Sequence, residues 1–141
     1  MVGIPDSLRV LIATGPLAHF VTLNADGSPQ LSVIWIGLAG DEIVSGHMSH
    51  SQKLRNIERD PRVVLSLEAP RTPGEFLAQH AVVRGRARVS RGGAYDLLTG
   101  LGKLYVGPDF AFPTDFGSGP DDGWLLHTTV DRIGGVGPWT G

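Results

Sequence analysis

Residues 23–36 read Leu23-Asn24-Ala25-Asp26-Gly27-Ser28-Pro29-Gln30-Leu31-Ser32-Val33-Ile34-Trp35-Ile36. Asp26-Gly27 is a strong hairpin-turn signal, because glycine adopts the positive φ of a tight turn at little cost. The strand-like run Leu17 to Asn24 precedes it, and Gln30 to Leu38 is the return strand. From Leu31 to Ile36 the return strand is apolar on both faces for most of its length. A strand with one face in water would alternate instead. This strand is therefore expected to be covered twice: by the core on one side, and by a partner subunit, a cofactor or both on the other.

Upstream, residues 5–14 predict a short helix. Pro5 and Asp6 suit its first turn, Gly15-Pro16 ends it, and Leu8, Leu11 and Ile12 share one face. Downstream, Gly40-Asp41 is a second turn and Glu42 to Met48 a third strand. Ser51 to Asp60 predicts a helix stopped by Asp60-Pro61. Val63 to Glu68 is a β-branched fourth strand, and Phe76 to Ser90 a long fifth one. Ala94 to Tyr105 carries Leu97, Leu98, Leu101 and Leu104 at helical spacing. Residues 107–123 form a Gly/Pro/Asp-rich loop holding Phe110, Phe112 and Phe116, which implies that the loop packs on something. Trp124 to Ile133 is the sixth strand, and Gly134 to Gly141 a tail. The order predicts one α+β domain over residues 1–141, a small barrel of about six antiparallel strands with two or three short helices.

Composition narrows the function. With 41% hydrophobic and 18% charged residues the chain is globular, and its 20 glycines and 10 prolines favour short strands and turns. A net charge of -2 offers no basic surplus for nucleic acid. No cysteine is present, which removes disulfides, thiolate metal sites and cysteine nucleophiles. No apolar run is long enough to span a bilayer, and the first residues lack the pattern of a signal peptide, so a cytoplasmic protein is expected. The five histidines show no tight metal spacing, and no metal is expected.

The chemistry-bearing stretch is Gly46-His47-Met48-Ser49-His50-Ser51-Gln52-Lys53-Leu54-Arg55-Asn56, at a strand-to-helix junction. Ser49 and Gln52 have the spacing of a capping box. A helix start offers free N–H groups and partial positive charge; Lys53, Arg55 and the serine hydroxyls add donors for a phosphate or carboxylate. The same features describe an ordinary solvated helix start. Cations there oppose the helix dipole, and an anionic ligand would relieve that conflict. The alternation Arg84, Arg86, Arg88 makes one side of the fifth strand basic and reads as a solvated face. Trp35 suits a core position or the wall of a flat aromatic cofactor.

Two segments carry a family resemblance. Leu23 to Gln30 followed by an apolar strand resembles the first hairpin of the pyridoxamine-phosphate-oxidase-like split β-barrels. Ser51-Gln52-Lys53-Leu54-Arg55-Asn56-Ile57-Glu58-Arg59-Asp60-Pro61-Arg62-Val63 resembles their helix-to-strand segment. The match covers roughly residues 15–90. The resemblance implies a homodimer with an isoalloxazine-type ring between subunits. It places Ser49, Ser51, Lys53, Arg55 and Asn56 near the cofactor phosphate, and the main chain of Ser32, Val33, Ile34 and Trp35 against the ring.

Two departures refine the expectation. The second strand, Gln30 to Ile36, lacks the cations that classical members use for the FMN phosphate. The C-terminal Arg-Leu-x-Pro motif is replaced by Arg132-Ile133-Gly134-Gly135. Oxidation of a vitamin B6 phosphate is therefore not expected. The compact length and the Lys-x-Arg-Asn element look more like the branch using the deazaflavin coenzyme F420. The resemblance then implies hydride transfer from reduced F420 to an unsaturated or electron-poor small molecule, with no protein acid or base identified. FMN on the same fold is the alternative cofactor. A non-catalytic flavin-, deazaflavin- or haem-binding protein is the reading from another class.

Overall fold

Asp26-Gly27 closes the first hairpin, with the Gly27 N–H bonded to Asn24 O (2.9 Å) and the Asp26 carboxylate accepting from the Ser28 N–H (3.0 Å). In the computed structural model, which describes residues 1–140, the chain runs α1 (Asp6–Ala13), β1 (Ala18–Leu23), β2 (Pro29–Ile34), β3 (Gly37–Ala39), β4 (Glu42–His47), α2 (Gln52–Arg59), β5 (Arg62–Glu68), β6 (His80–Arg91), α3 (Ala94–Tyr105) and β7 (Trp124–Val136). Short 3-10 turns lie at Thr114–Phe116 and Pro138–Thr140. All seven strands form one sheet, in the order β2-β1-β5-β6-β7-β4-β3. Every pairing is antiparallel.

That order closes the sheet on itself. β2 and β3 occupy its two ends, yet only Trp35 and Ile36 separate them in the chain. So short a link spans at most about 10 Å. The sheet must therefore curl until its edges approach, which makes a split barrel. Tyr105 of α3 fixes the corner: its hydroxyl donates to Pro16 O (2.6 Å) and accepts from the Ile36 N–H (3.1 Å).

Alternation fills the barrel. Phe20 on β1, Leu65 and Leu67 on β5, Val83 on β6 and Leu126 and Val130 on β7 point inward and are buried. Leu54 and Ile57 of α2 close one opening, and Leu8, Leu11 and Ile12 of α1 join the same core. Burying each such side chain contributes roughly 1.5–3 kcal/mol.

Three expectations need correction. The strand drawn from Gln30 to Leu38 is two strands, because the barrel corner breaks it at Trp35-Ile36, so there are seven strands rather than six. The strand drawn from Phe76 starts at His80; Phe76 is 97% exposed in the preceding loop. The last strand runs on to Val136, and buried Trp139 in the tail donates its indole N–H to His80 O (3.0 Å). β2 is an edge strand, with Leu31 60% and Val33 51% exposed, so nothing within the chain itself covers that face.

The start of α2 is held differently from a capping box. Ser51 is its N-cap and makes no side-chain cap hydrogen bond. The Gln52 amide instead donates to Asn56 Oδ1 (2.8 Å). Asn56 is fully buried and donates to Thr22 Oγ1 (3.0 Å) and Asn24 Oδ1 (2.9 Å), which staples α2 to β1. Asn56→Ala is expected to cost about 2–3 kcal/mol, because it strands buried partners. A urea midpoint equal to that of the unmodified protein would remove the staple from the account.

Candidate functional site

A cleft opens where β4 hands over to α2. Gly46, His47, Met48, Ser49, Ser51 and Lys53 line a cavity of about 440 Å³, with Leu98 of α3 and Phe112 and Phe116 opposite. A second cavity of about 250 Å³ is lined by Val33, Ile34, Trp35, Gly46, His47, Leu98 and Phe112. The shared residues Gly46, His47, Leu98 and Phe112 make the two halves of one cleft.

Two glycines permit this shape. A Cβ on Gly46 would lie 3.0 Å from Leu98 Cγ and 3.2 Å from Ala94 O, so glycine lets α3 press onto β4. A Cβ on Gly102 would lie 2.2 Å from the Phe110 ring, which lies against the α3 backbone there. Phe110 meets Trp35 edge-on (5.8 Å), and Trp35 stacks on Tyr105 (5.5 Å, 15°). Phe112 meets Tyr95 edge-on (6.3 Å). These contacts pin residues 107–117 across the cleft, as three aromatics in a polar loop led one to expect.

Lys53 is the electrostatic centre. It is 8% exposed, and among the described residues its ammonium has no hydrogen bond or ion pair. Burial lowers its pKa below the ordinary lysine value. An unpaired buried cation is costly unless an anion joins it. His47, beside it, is held neutral: burial, and then the Lys53 charge, push its pKa down to about 3.

The structure gathers Val33, Ile34, Trp35, Ser49, Ser51 and Lys53 of the expected residues around this cleft. Ser32 lies next to them on β2, its hydroxyl buried without a partner. Arg55 and Asn56 lie apart from the lining. Arg55 donates to His50 O (2.8 Å) and Gln52 Oε1 (3.1 Å), and Asn56 faces β1. His50 is occupied by Glu58 (2.7 Å). Sequence reasoning gave no role to Gly46, His47 or Leu98. The embedded phenylalanines were the signal for the opposite wall.

The donors fit a phosphate-type anion: one ammonium and two serine hydroxyls on one side, with a flat aromatic wall at Trp35 and Phe112 on the other. A larger groove, about 570 Å³, lies on the outer face of the sheet. Its walls include Val21, Leu23, Val64, Arg62, Arg84, Arg86 and Arg132. Two of its arginines are paired: Arg62 with Asp60 (2.7 Å), and Arg86, 3.6 Å from Asp131. Arg88, further along β6, is exposed and paired with Glu42, in keeping with a solvated strand face. Among the described residues no three His, Asp or Glu side chains gather as metal ligands would, and no helix is long and apolar enough to cross a membrane.

The profile of the family described as pyridoxamine 5'-phosphate oxidase matches residues 4–130, and the chain belongs to that family. No curated protein sequence matches it. An F420 reductase superposes with a TM-score of 0.75 at 23% identity, over 93% of this chain and 98% of its own. A conserved hypothetical protein from Mycobacterium tuberculosis gives 0.69 at 19% identity, over 94% of this chain and 84% of its own. A heme binding protein from Mycobacterium smegmatis gives 0.64 at 21% identity, over 94% of this chain and 53% of its own. At these identities the likeness establishes the fold, an α+β split β-barrel of the pyridoxamine-phosphate-oxidase type. Family membership supports a flavin-dependent oxidoreductase or a flavin-binding protein.

Proposed function

We propose that this chain is an oxidoreductase that binds the deazaflavin coenzyme F420 and acts on an unsaturated or electron-poor small molecule as a homodimer. When bound and reduced, F420 supplies a hydride. Lys53, with the hydroxyls of Ser49 and Ser51, binds the cofactor phosphate. Ile34, Trp35 and Phe112 orient the ring and exclude water from it. The observation that carries the reading is Lys53, a residue only 8% exposed whose unpartnered ammonium faces a cleft walled by Trp35 and Phe112. F420 is favoured over FMN because β2 brings no second cation to the site.

Titrating the purified protein with F420 and, separately, with FMN tests this by fluorescence. Tight F420 binding with weak FMN binding is the expected result. The reverse transfers the site to FMN, and haem binding in place of both gives the non-catalytic reading. Turnover of an electron-poor acceptor then separates an enzyme from a carrier.

Leu31 and Val33 on the outer face of β2, beside Val21 on β1, support the dimer, since an exposed apolar face invites a partner. Leu31→Lys is expected to weaken self-association at least about 10-fold by burying an unpaired charge. Light scattering reads this directly, and an unchanged dimer would exclude β2 as the contact.

A further inference from the structure

His47 occupies the junction of the cleft, lining both the half that holds Lys53 and the half that holds Trp35. Its Nε2 lies 2.8 Å from Ser45 Oγ. Ser45 is 3% exposed and makes no other side-chain hydrogen bond, while Nδ1 of His47 makes none within the chain. The two tautomers are unequal. With the proton on Nε2, the imidazole would donate to Ser45 Oγ, and the serine's own hydrogen would be buried without an acceptor. With the serine donating to Nε2, both buried groups are satisfied. The ring proton then sits on Nδ1, open to the cleft.

We propose that His47 is a fixed hydrogen-bond donor to the bound cofactor, through Nδ1–H, with Ser45 as the positioning residue that sets its tautomer. The identity of the ligand rests on the F420 reading. The target is an oxygen in the segment between ring and phosphate, because His47 stands between the walls assigned to those two groups. Lys53 then supplies the site's full charge and His47 a neutral, directional contact. Burial and the Lys53 charge keep the imidazole from becoming a second cation over the ordinary pH range.

Two measurements test it. The first needs no ligand: nitrogen-detected NMR of the histidine rings in the free protein, with His47 assigned by its loss in His47→Asn. The Nδ1–H tautomer, unchanged from pH 5 to pH 8, is expected. The Nε2–H tautomer, or a titration near the ordinary histidine value, overturns the Ser45 role. The second is F420 titration. His47→Phe should weaken binding about 2- to 10-fold, the scale of a neutral hydrogen bond. His47→Asn, whose amide nitrogen occupies the place of Nδ1, should restore most of that loss, and Ser45→Ala should give an intermediate effect. Equal affinity of His47→Phe and the unmodified protein, or no recovery in a folded His47→Asn, overturns the contact. Failure of the unmodified protein to bind F420 overturns the cofactor reading and with it the contact, while the tautomer result stands independently.

Discussion

Lys53→Met is expected to move two measurements in opposite directions. Affinity for F420 should fall by about 2–3 kcal/mol, or roughly 30- to 150-fold, the loss of a hydrogen-bonded buried charge. The free protein should gain about 1 kcal/mol, because methionine fills a similar volume without an ammonium to desolvate. Lys53 is nearly buried and without a counter-ion, so its charge opposes folding until an anion arrives. A lysine kept for structure would show the reverse pattern, losing stability when replaced. Calorimetric titration and urea denaturation on the same preparation read both effects. Unchanged affinity removes Lys53 from the anion site, and a lower urea midpoint gives it a structural role instead.

Stability is expected to fall by about 2–3 kcal/mol between pH 7 and pH 4.5 on account of His47 alone. The sign follows from proton uptake. In the unfolded chain this histidine protonates near its ordinary value of 6.5; in the native protein burial and Lys53 hold it neutral down to about 3. Between those values the unfolded state binds more protons, so stability is full above pH 6.5 and drains away as pH falls. Each unit of difference contributes about 1.4 kcal/mol. Lys53 from α2 is the charged group facing the ring, and Ser45 on its own strand its hydrogen-bond partner. His127, lowered by burial and then by Arg88, adds a slope of the same sign. The comparison that isolates His47 is therefore the unmodified protein against His47→Asn, by urea midpoints at the two pH values. Parallel losses in both proteins would place His47 in solvent rather than in the cleft.

The first hairpin was legible because Asp26-Gly27 is local turn chemistry that no tertiary contact needs to complete. The same holds for α1, whose apolar spacing matches what it buries, and in part for α3, which buries Leu98 and Leu101 but leaves Leu104 exposed. The corner at Trp35-Ile36 was not legible: nothing in an apolar run announces that the sheet must curl there, and the reason lies in β7 pairing with β4 far away in the chain. Phe76 reads as strand by type but sits beyond the last β5–β6 pair, Glu68 with His80. In the cleft, residue type identified Lys53, Ser49 and Ser51 as donors. It could not separate Lys53 from Arg55 and Asn56, because that depends on which way successive helix positions face. Asn56 looked like a ligand donor and is occupied as a staple. His47 passed without a role because its partner, Ser45, matters only once strand alternation puts both on one side of β4.

β7 joins two pieces that would otherwise share no ladder: β2-β1-β5-β6 on one side and β4-β3 on the other. It is also the last strand of this sheet to leave the ribosome. Until Trp124 to Val136 emerges, β4 and β6 each present a bare edge, and the cleft built on β4 has no support from the rest of the sheet. Nascent chains of this protein therefore carry the sheet in two open pieces until β7 is made. Their yield in a cell should respond to translation speed and chaperone supply more than the finished barrel's stability suggests.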